Sequence, residues 1–244
     1  MNASLKSGEG KNLMKILAID SSAVSCSVAV SDGETISASD FVNNGLTHSQ
    51  TLLPMVEKVL NKAELSVHDI DLFAVTNGPG SFTGVRIGVA ALKGLAFSDN
   101  KPCVGISTLE AIAAGCDVPD VIVIACMDAR RAQVYTATFE SVTLKRLTPD
   151  EAVSIESLIP RIQSYKKEVY LCGDGARLAY SILGKQCENI FLVSDDKIYQ
   201  NAENVCALAL KYKHLAQDAA LLVPTYLRPS QAERELKKRK ESKV

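Results

Sequence analysis

The chain contains no tryptophan and only three histidines in 244 residues, and neither sign of charge is in surplus: 27 Lys and Arg stand against 28 Asp and Glu, a formal net charge of −1. Each shortage excludes something. Without a basic excess there is no electrostatic footprint for autonomous nucleic-acid binding, so any nucleic acid has to be held with a partner's charge. His48, His68 and His214 lie far apart with no ligating partner three or four residues on, so no metal site is legible. Cys26, Cys103, Cys116, Cys126, Cys172, Cys187 and Cys206 include no C-x-x-C pair and sit mostly in apolar runs. That is the pattern of buried, reduced thiols in a cytoplasmic protein. The longest uncharged apolar run, Val121 to Met127, is far too short to span a bilayer, and Met1 to Leu13 lack the apolar core of a secretory signal. We read residues 1–13 as a flexible leader with the natural start at Met14. The remaining chain, 47% hydrophobic, can bury a large core in one or two domains.

What is present centres on Gly78 to Phe97. An apolar run (Leu72 to Thr76), a glycine turn (Gly78-Pro79-Gly80) and a helix capped by Ser81 follow one another as in a phosphate-cradling site. The spacing does not fit one. Gly84 is followed by Val85 and Arg86 where a Walker loop needs Lys and Ser or Thr, and Thr83 stands where a dinucleotide fingerprint needs glycine. In the helix, Phe82, Val85, Val89, Leu92 and Ala96 form an apolar seam, and Gly84, Gly88, Ala91 and Leu95 a second, small-residue face. Gly84, Gly88 and Gly94 inside a helix each cost about 1 kcal/mol relative to alanine. Close backbone approach would compensate, either within a crowded core or in the groove of a partner helix. Arg86 and Lys93 share a third face expected to be wet.

Around this stretch the element order occurs twice. Ile16 to Asp20, Cys26 to Val30 and Thr35 to Val42 read as three strands, followed by a helix with a capping box at Thr47-His48-Ser49-Gln50 and a bend at Pro54. After the glycine turn and its helix come a strand at Cys103 to Ile106 and a helix capped by Ser107 that ends at Gly115. Val121 to Met127, Gln133 to Glu140 and Val142 to Leu147 then repeat the three strands. A helix at Ile155 to Tyr165, a strand at Val169 to Cys172, the turn Gly173-Asp174-Gly175, a helix at Arg177 to Leu183, a strand at Ile190 to Val193 and a helix at Ala202 to His214 complete the copy. Two βββαβα-type units predict a duplicated α/β fold with a mixed sheet in each half, of the actin, hexokinase and Hsp70 superfamily. The expected division is a first domain over 14–118, a second over 119–232 and a basic tail over 233–244, with the last helix crossing back onto the first half.

In such folds the turn after the first strand of each half holds phosphate and needs glycine for close approach. Here those turns read Asp20-Ser21-Ser22 and Asp128-Ala129-Arg130-Arg131, without glycine. Asp20 is the candidate for orienting a magnesium-bound water, although an aspartate ending a buried strand is as often a turn cap. His48 reads as a local capping or surface residue rather than a base, and Ser81 as a cap rather than a nucleophile. Pro224 to Pro229 is an extended, proline-bracketed peptide with an exposed aromatic, Tyr226, suited to docking across the fold or onto a partner. The charge run Arg234 to Lys243 is either a solvated end or a contact for RNA phosphates held by a complex.

Ile16 to Ser22, His48-Ser49-Gln50 to Leu53-Pro54, the Gly78 to Gly88 block, Asp128 to Arg131 and Tyr226 to Pro229, in that order, resemble the TsaB (YeaZ) family. The resemblance implies an actin-like protein that is not itself an enzyme. Its implied partner is TsaD, which transfers a threonylcarbamoyl group from its adenylate to N6 of adenosine 37 in tRNAs reading codons that begin with A. TsaE, an ATPase, completes the assembly, and ATP or ADP and metal are expected on TsaD and TsaE rather than on this chain. Self-association as a homodimer is expected when TsaD is absent, with tRNA engaged only indirectly. Carried onto this sequence, the partner interface comprises Ser49, Leu52, Leu53, Val56, Phe82, Thr83, Gly84, Arg86, Ile87, Gly88 and Ala91. The alternative from another class is a self-sufficient enzyme of the same fold, an ATPase, phosphotransferase or metallopeptidase acting on TsaD.

Overall fold

Ile16, Leu17, Ala18 and Ile19 are all fully buried, on both faces of the strand they form. A continuous apolar run behaves this way when both sides of a sheet are covered. The structure, a computed structural model that describes residues 13–228, places this strand, β1 (Lys15–Asp20), in the middle of a mixed sheet. On one side β2 (Cys26–Asp32) pairs antiparallel with β1 and β3 (Thr35–Val42) with β2; on the other, β4 (Leu72–Gly78) and β5 (Cys103–Ser107) run parallel. The order is β3-β2-β1-β4-β5. β6 (Ile122–Asp128), β7 (Gln133–Glu140), β8 (Glu151–Ser154), β9 (Val169–Cys172) and β10 (Ile190–Leu192) form the second sheet in the order β8-β7-β6-β9-β10. It is the same path, with the same parallel and antiparallel pairings. The duplication expected from the element order is therefore present, and the fold is the α/β, actin-like one.

The first half carries α1 (His48–Lys62), α2 (Phe82–Phe97) and α3 (Thr108–Ala113); the second carries α4 (Ile159–Ser164), α5 (Ala176–Leu183) and α6 (Ala202–Lys211). The last helix of each half is exchanged. Leu109, Ile112 and Ala113 of α3 enter the core of the second sheet, while Val205, Cys206, Leu208 and Ala209 of α6 pack on Ile16, Ala18, Leu72 and Ala74 of the first. The return of the final helix to the first half was expected from sequence. Its contacts are reinforced by the Ser27 hydroxyl, which accepts from the Ala202 amide at 2.9 Å.

Two local expectations fail. Val142 to Leu147 is not a strand: Val142 and Leu144 have φ of 62° and 52°, a left-handed conformation that no sheet ladder tolerates, and the third strand is β8 instead. Thr47 occupies the N-cap of α1 but makes no side-chain cap bond, so the capping box does not form there. Ser81 and Ser107 do cap, accepting from the amides of Gly84 at 3.2 Å and Glu110 at 3.4 Å. The proposed leader, apart from Leu13, and the basic tail lie outside the described residues. Among the described residues no helix is long and apolar enough to cross a membrane.

Candidate functional site

Gly80, just before α2, and Gly84 and Gly88 within it point at the chain's own first turn. A Cβ on Gly84 would overlap the carbonyl oxygen of Ser21, one on Gly80 that of Ser22, and one on Gly88 the Ser21 hydroxyl. Hydrogen bonds close the same seam: the Ser21 hydroxyl donates to Gly84 O at 2.9 Å, and the Ser81 amide to Ser22 O at 2.7 Å. Of the two compensations for interior glycine, the intramolecular one is found. Gly84 and Gly88, expected at a partner interface, are instead buried within the chain, Gly84 against the Ser21 carbonyl and Gly88 against the Ser21 hydroxyl and the side chains of Val75 and Ile19. Gly94 faces open space.

Asp20 is part of the same seam. Its Oδ1 accepts from the Ser22 amide at 2.9 Å and the Ser22 hydroxyl at 2.6 Å, which makes it the cap of its own turn. Burial pushes its carboxyl above the usual range, opposed by the bonds from Ser22, and Oδ2 makes no hydrogen bond. Asp20 is 1% exposed and is not among the residues that line the cleft between the halves, whereas Ser22 and Ala23 of the same turn are. His48 serves this turn too, with Nε2 2.7 Å from Ala23 O.

Of the other residues expected at a partner interface, Leu52 and Val56 lie in the core instead. They are 1% and 3% exposed and pack in the core with Val28, Val59 and Val85. A helix lying on a sheet turns one face inward, and the i, i+4 pair Leu52 and Val56 is on it. Ser49 and Leu53 face outward, Leu53 with 55% of its surface exposed. On α2, Thr83 and Arg86 are exposed and Ile87 and Ala91 half-buried. Phe97, at 82%, is the most exposed large hydrophobic residue described and was missed from sequence, because it continues the buried seam one residue out of phase. Leu53 on α1 and, in part, Ile87 and Ala91 on α2 therefore leave apolar surface outside the core, while Phe97 lies, by helix periodicity, toward the Arg86 and Lys93 side of α2. Phe82 and Arg86 are engaged differently. The Arg86 guanidinium lies 3.8 Å over the Phe82 ring and its Nε donates to the Tyr226 hydroxyl at 2.7 Å. Lys93 donates to Ala220 O and Leu222 O, so the face expected to be wet is covered at Lys93 by the chain's own C-terminal segment, while Arg86 stays exposed.

Between the halves lies a cleft of about 360 Å³. Ser22, Gly80 and Phe82 line one wall, Asp128, Arg130, Tyr135 and Asp174 the other, and Tyr226 and Arg228 also line it. Asp128 Oδ1 accepts from the Arg130 amide at 2.7 Å, and the Asp174 carboxyl, held above its usual range by burial, accepts from Gln200 at 3.2 Å. The turn past Asp128 places Arg130, Arg131 and Ala132 at positive φ. Among the described residues, no group of three or more His, Cys, Asp or Glu side chains converges as metal ligands. All seven cysteines are buried and free, and burial raises the thiols of Cys26, Cys126 and Cys206 to about 12, which leaves them unreactive at neutral pH.

The model of the family described as "TsaD: tRNA N6-adenosine threonylcarbamoyltransferase" matches residues 45–236. The chain is 31% identical over 222 residues to the tRNA threonylcarbamoyladenosine biosynthesis protein TsaB of Bacillus subtilis, spanning 90% of this chain and 96% of that protein. It is 33% identical over 232 residues to the TsaB of Escherichia coli, spanning 91% and 98%. Among solved structures, YeaZ from Pseudomonas aeruginosa is similar with a TM-score of 0.73 and 25% identity, over 88% of this chain and 100% of that one.

Proposed function

The chain belongs to the TsaB (YeaZ) family of tRNA threonylcarbamoyladenosine biosynthesis proteins, and from that premise we propose that it is a non-catalytic subunit of the assembly that forms this modification. It binds TsaD through the outer strip of α1 and α2, recruits TsaE with it, and leaves nucleotide, metal and tRNA chemistry to those partners in the cytoplasm. The single observation that carries this reading is the strip itself. Leu53 is 55% exposed on α1, and on the neighbouring helix α2 the apolar side chains of Ile87 and Ala91 are only half-buried. An exposed apolar strip on paired helices fits another pair of helices, whether from TsaD or from a second copy of this chain. The condition of the cleft supports the same reading, because Asp20, the residue best placed by sequence to serve nucleotide hydrolysis, caps its own turn.

The test is binding of purified TsaD to wild type, Leu53→Arg and Thr83→Arg. Both residues are exposed, so both variants fold, and a buried cation at a helix interface weakens binding by about a hundredfold or more. Unchanged affinity in both variants would overturn the assignment of the surface. Turnover of ATP by the isolated chain, lost in Asp128→Asn, would favour the self-sufficient enzyme instead.

A further inference from the structure

The segment after α6 does more than end the chain. It first joins the edge of the first sheet, where the amides of Cys103 and Gln217 each donate to the other's carbonyl at 2.8 Å. Lys93 then holds the carbonyls of Ala220 and Leu222, and the Leu222 side chain is buried in the first core. Beyond Leu222 the segment leaves that core. The Asn77 side chain donates to Val223 O at 3.3 Å, and the Thr225 amide donates back to Asn77 O at 2.6 Å. Gly78, at φ 126°, lets this backbone lie on the end of β4, since a Cβ there would overlap Thr225 O. Tyr226 packs against Phe82 with ring centroids 4.7 Å apart and planes tilted by 30°, and its hydroxyl accepts from Arg86. Arg228 then crosses to the other half, its guanidinium 5.6 Å from the ring of Tyr135 on β7.

We propose that residues 223–228 form a clamp across the cleft that fixes the setting of one half against the other. Tyr226 is its catch on the first half and Arg228 its catch on the second. Both are positioning residues. The chemistry of the two grips differs in a useful way. Arg86 satisfies a phenol oxygen and covers an aromatic face at once, which fixes Tyr226 in position and direction. Arg228 rests on Tyr135 through a face contact that tolerates sliding. The arrangement holds the first wall rigidly and lets the second settle against it. It does not depend on which partner covers α1 and α2, so it stands or falls separately from the function proposed above.

Hydrogen exchange on the full chain, comparing wild type with Tyr226→Ala and Arg228→Ala, tests the clamp. Tyr226→Ala speeds exchange about tenfold in residues 78–84 and in residues 127–135, the two walls, and Arg228→Ala does so in residues 127–135. Residues 26–32, in β2 and away from the strap, serve as the unchanged reference. If exchange rises only within residues 223–228, the segment rides on the surface without holding the halves, and the proposal is overturned. Should the Tyr226 variant lose protection in the reference strand, it has failed to fold, and Arg228→Ala, which removes a surface contact, decides the matter alone.

Discussion

The two halves share one path and use it for different ends. In each, the glycine turn after the fourth strand presses on the end of the first strand: Gly80 and Gly84 on Ser22 and Ser21, Gly173 and Gly175 on Cys126 and Asp128. In the first half the contact is sealed. Asp20 is buried at 1% exposure under its own turn, and a helix of 16 residues, α2, runs on from the seam to present an outer face. In the second half the helix that follows, α5, has 8 residues, and Asp128 and Asp174 line the cleft. The difference teaches that one turn geometry can either enclose the strand-end carboxylate or leave it lining the cleft.

The comparison breaks most readily at Gly84. Gly84→Leu drives a side chain into the Ser21 carbonyl and costs about 3 kcal/mol or more, read as a shifted denaturant midpoint. It therefore tests the fold and not the partner. Gly173→Ala makes the equivalent break in the second half and should fall in the same range, because φ there is 101° and the Cys126 carbonyl lies in the way. Adjacent residues of α1 sharpen the contrast between inner and outer faces: Leu52→Ala costs about 3 kcal/mol of stability, while Leu53→Ala stays within about 0.5 kcal/mol. Gly94→Ala, with nothing near its Cβ position, stabilises by up to about 1 kcal/mol.

The smallest expected effect concerns pH. The folded-state carboxyl of Asp174 is raised by burial, so its contribution favours folding at pH below its unfolded value of about 3.8 and is lost as pH rises through the folded value. Asp174→Asn should accordingly gain stability relative to wild type at neutral pH and lose that advantage in acid, as thermal melts across the range would register.

The strands were legible because continuous apolar runs such as Ile16 to Ile19 and Val121 to Met127 have few other ways to be satisfied, and the repeated element order followed from them. The identity of the glycines was legible as well, but not what they face. Gly84 meets a carbonyl 63 residues earlier in the chain, and no periodicity within α2 distinguishes that from a neighbouring helix. Leu52 and Val56 were misplaced for a related reason, since an amphipathic pattern marks the buried face without saying whether the sheet or a partner buries it. Val142 and Leu144 looked like strand residues because β-branched and aliphatic residues seldom adopt positive φ, so nothing in their type announced a turn. Tyr226 was visible as a lone aromatic between prolines, yet its seat on Phe82 and Arg86 depends on a fold that brings residues 140 apart together.

Reconstituted formation of threonylcarbamoyladenosine with TsaD, TsaE and tRNA separates the two halves' roles most directly, when wild type, Leu53→Arg and Asp128→Asn are each supplied as the added subunit. The account predicts that product formation falls to the level without this chain for Leu53→Arg and stays near wild type for Asp128→Asn; full activity with Leu53→Arg, together with loss in Asp128→Asn, would contradict it.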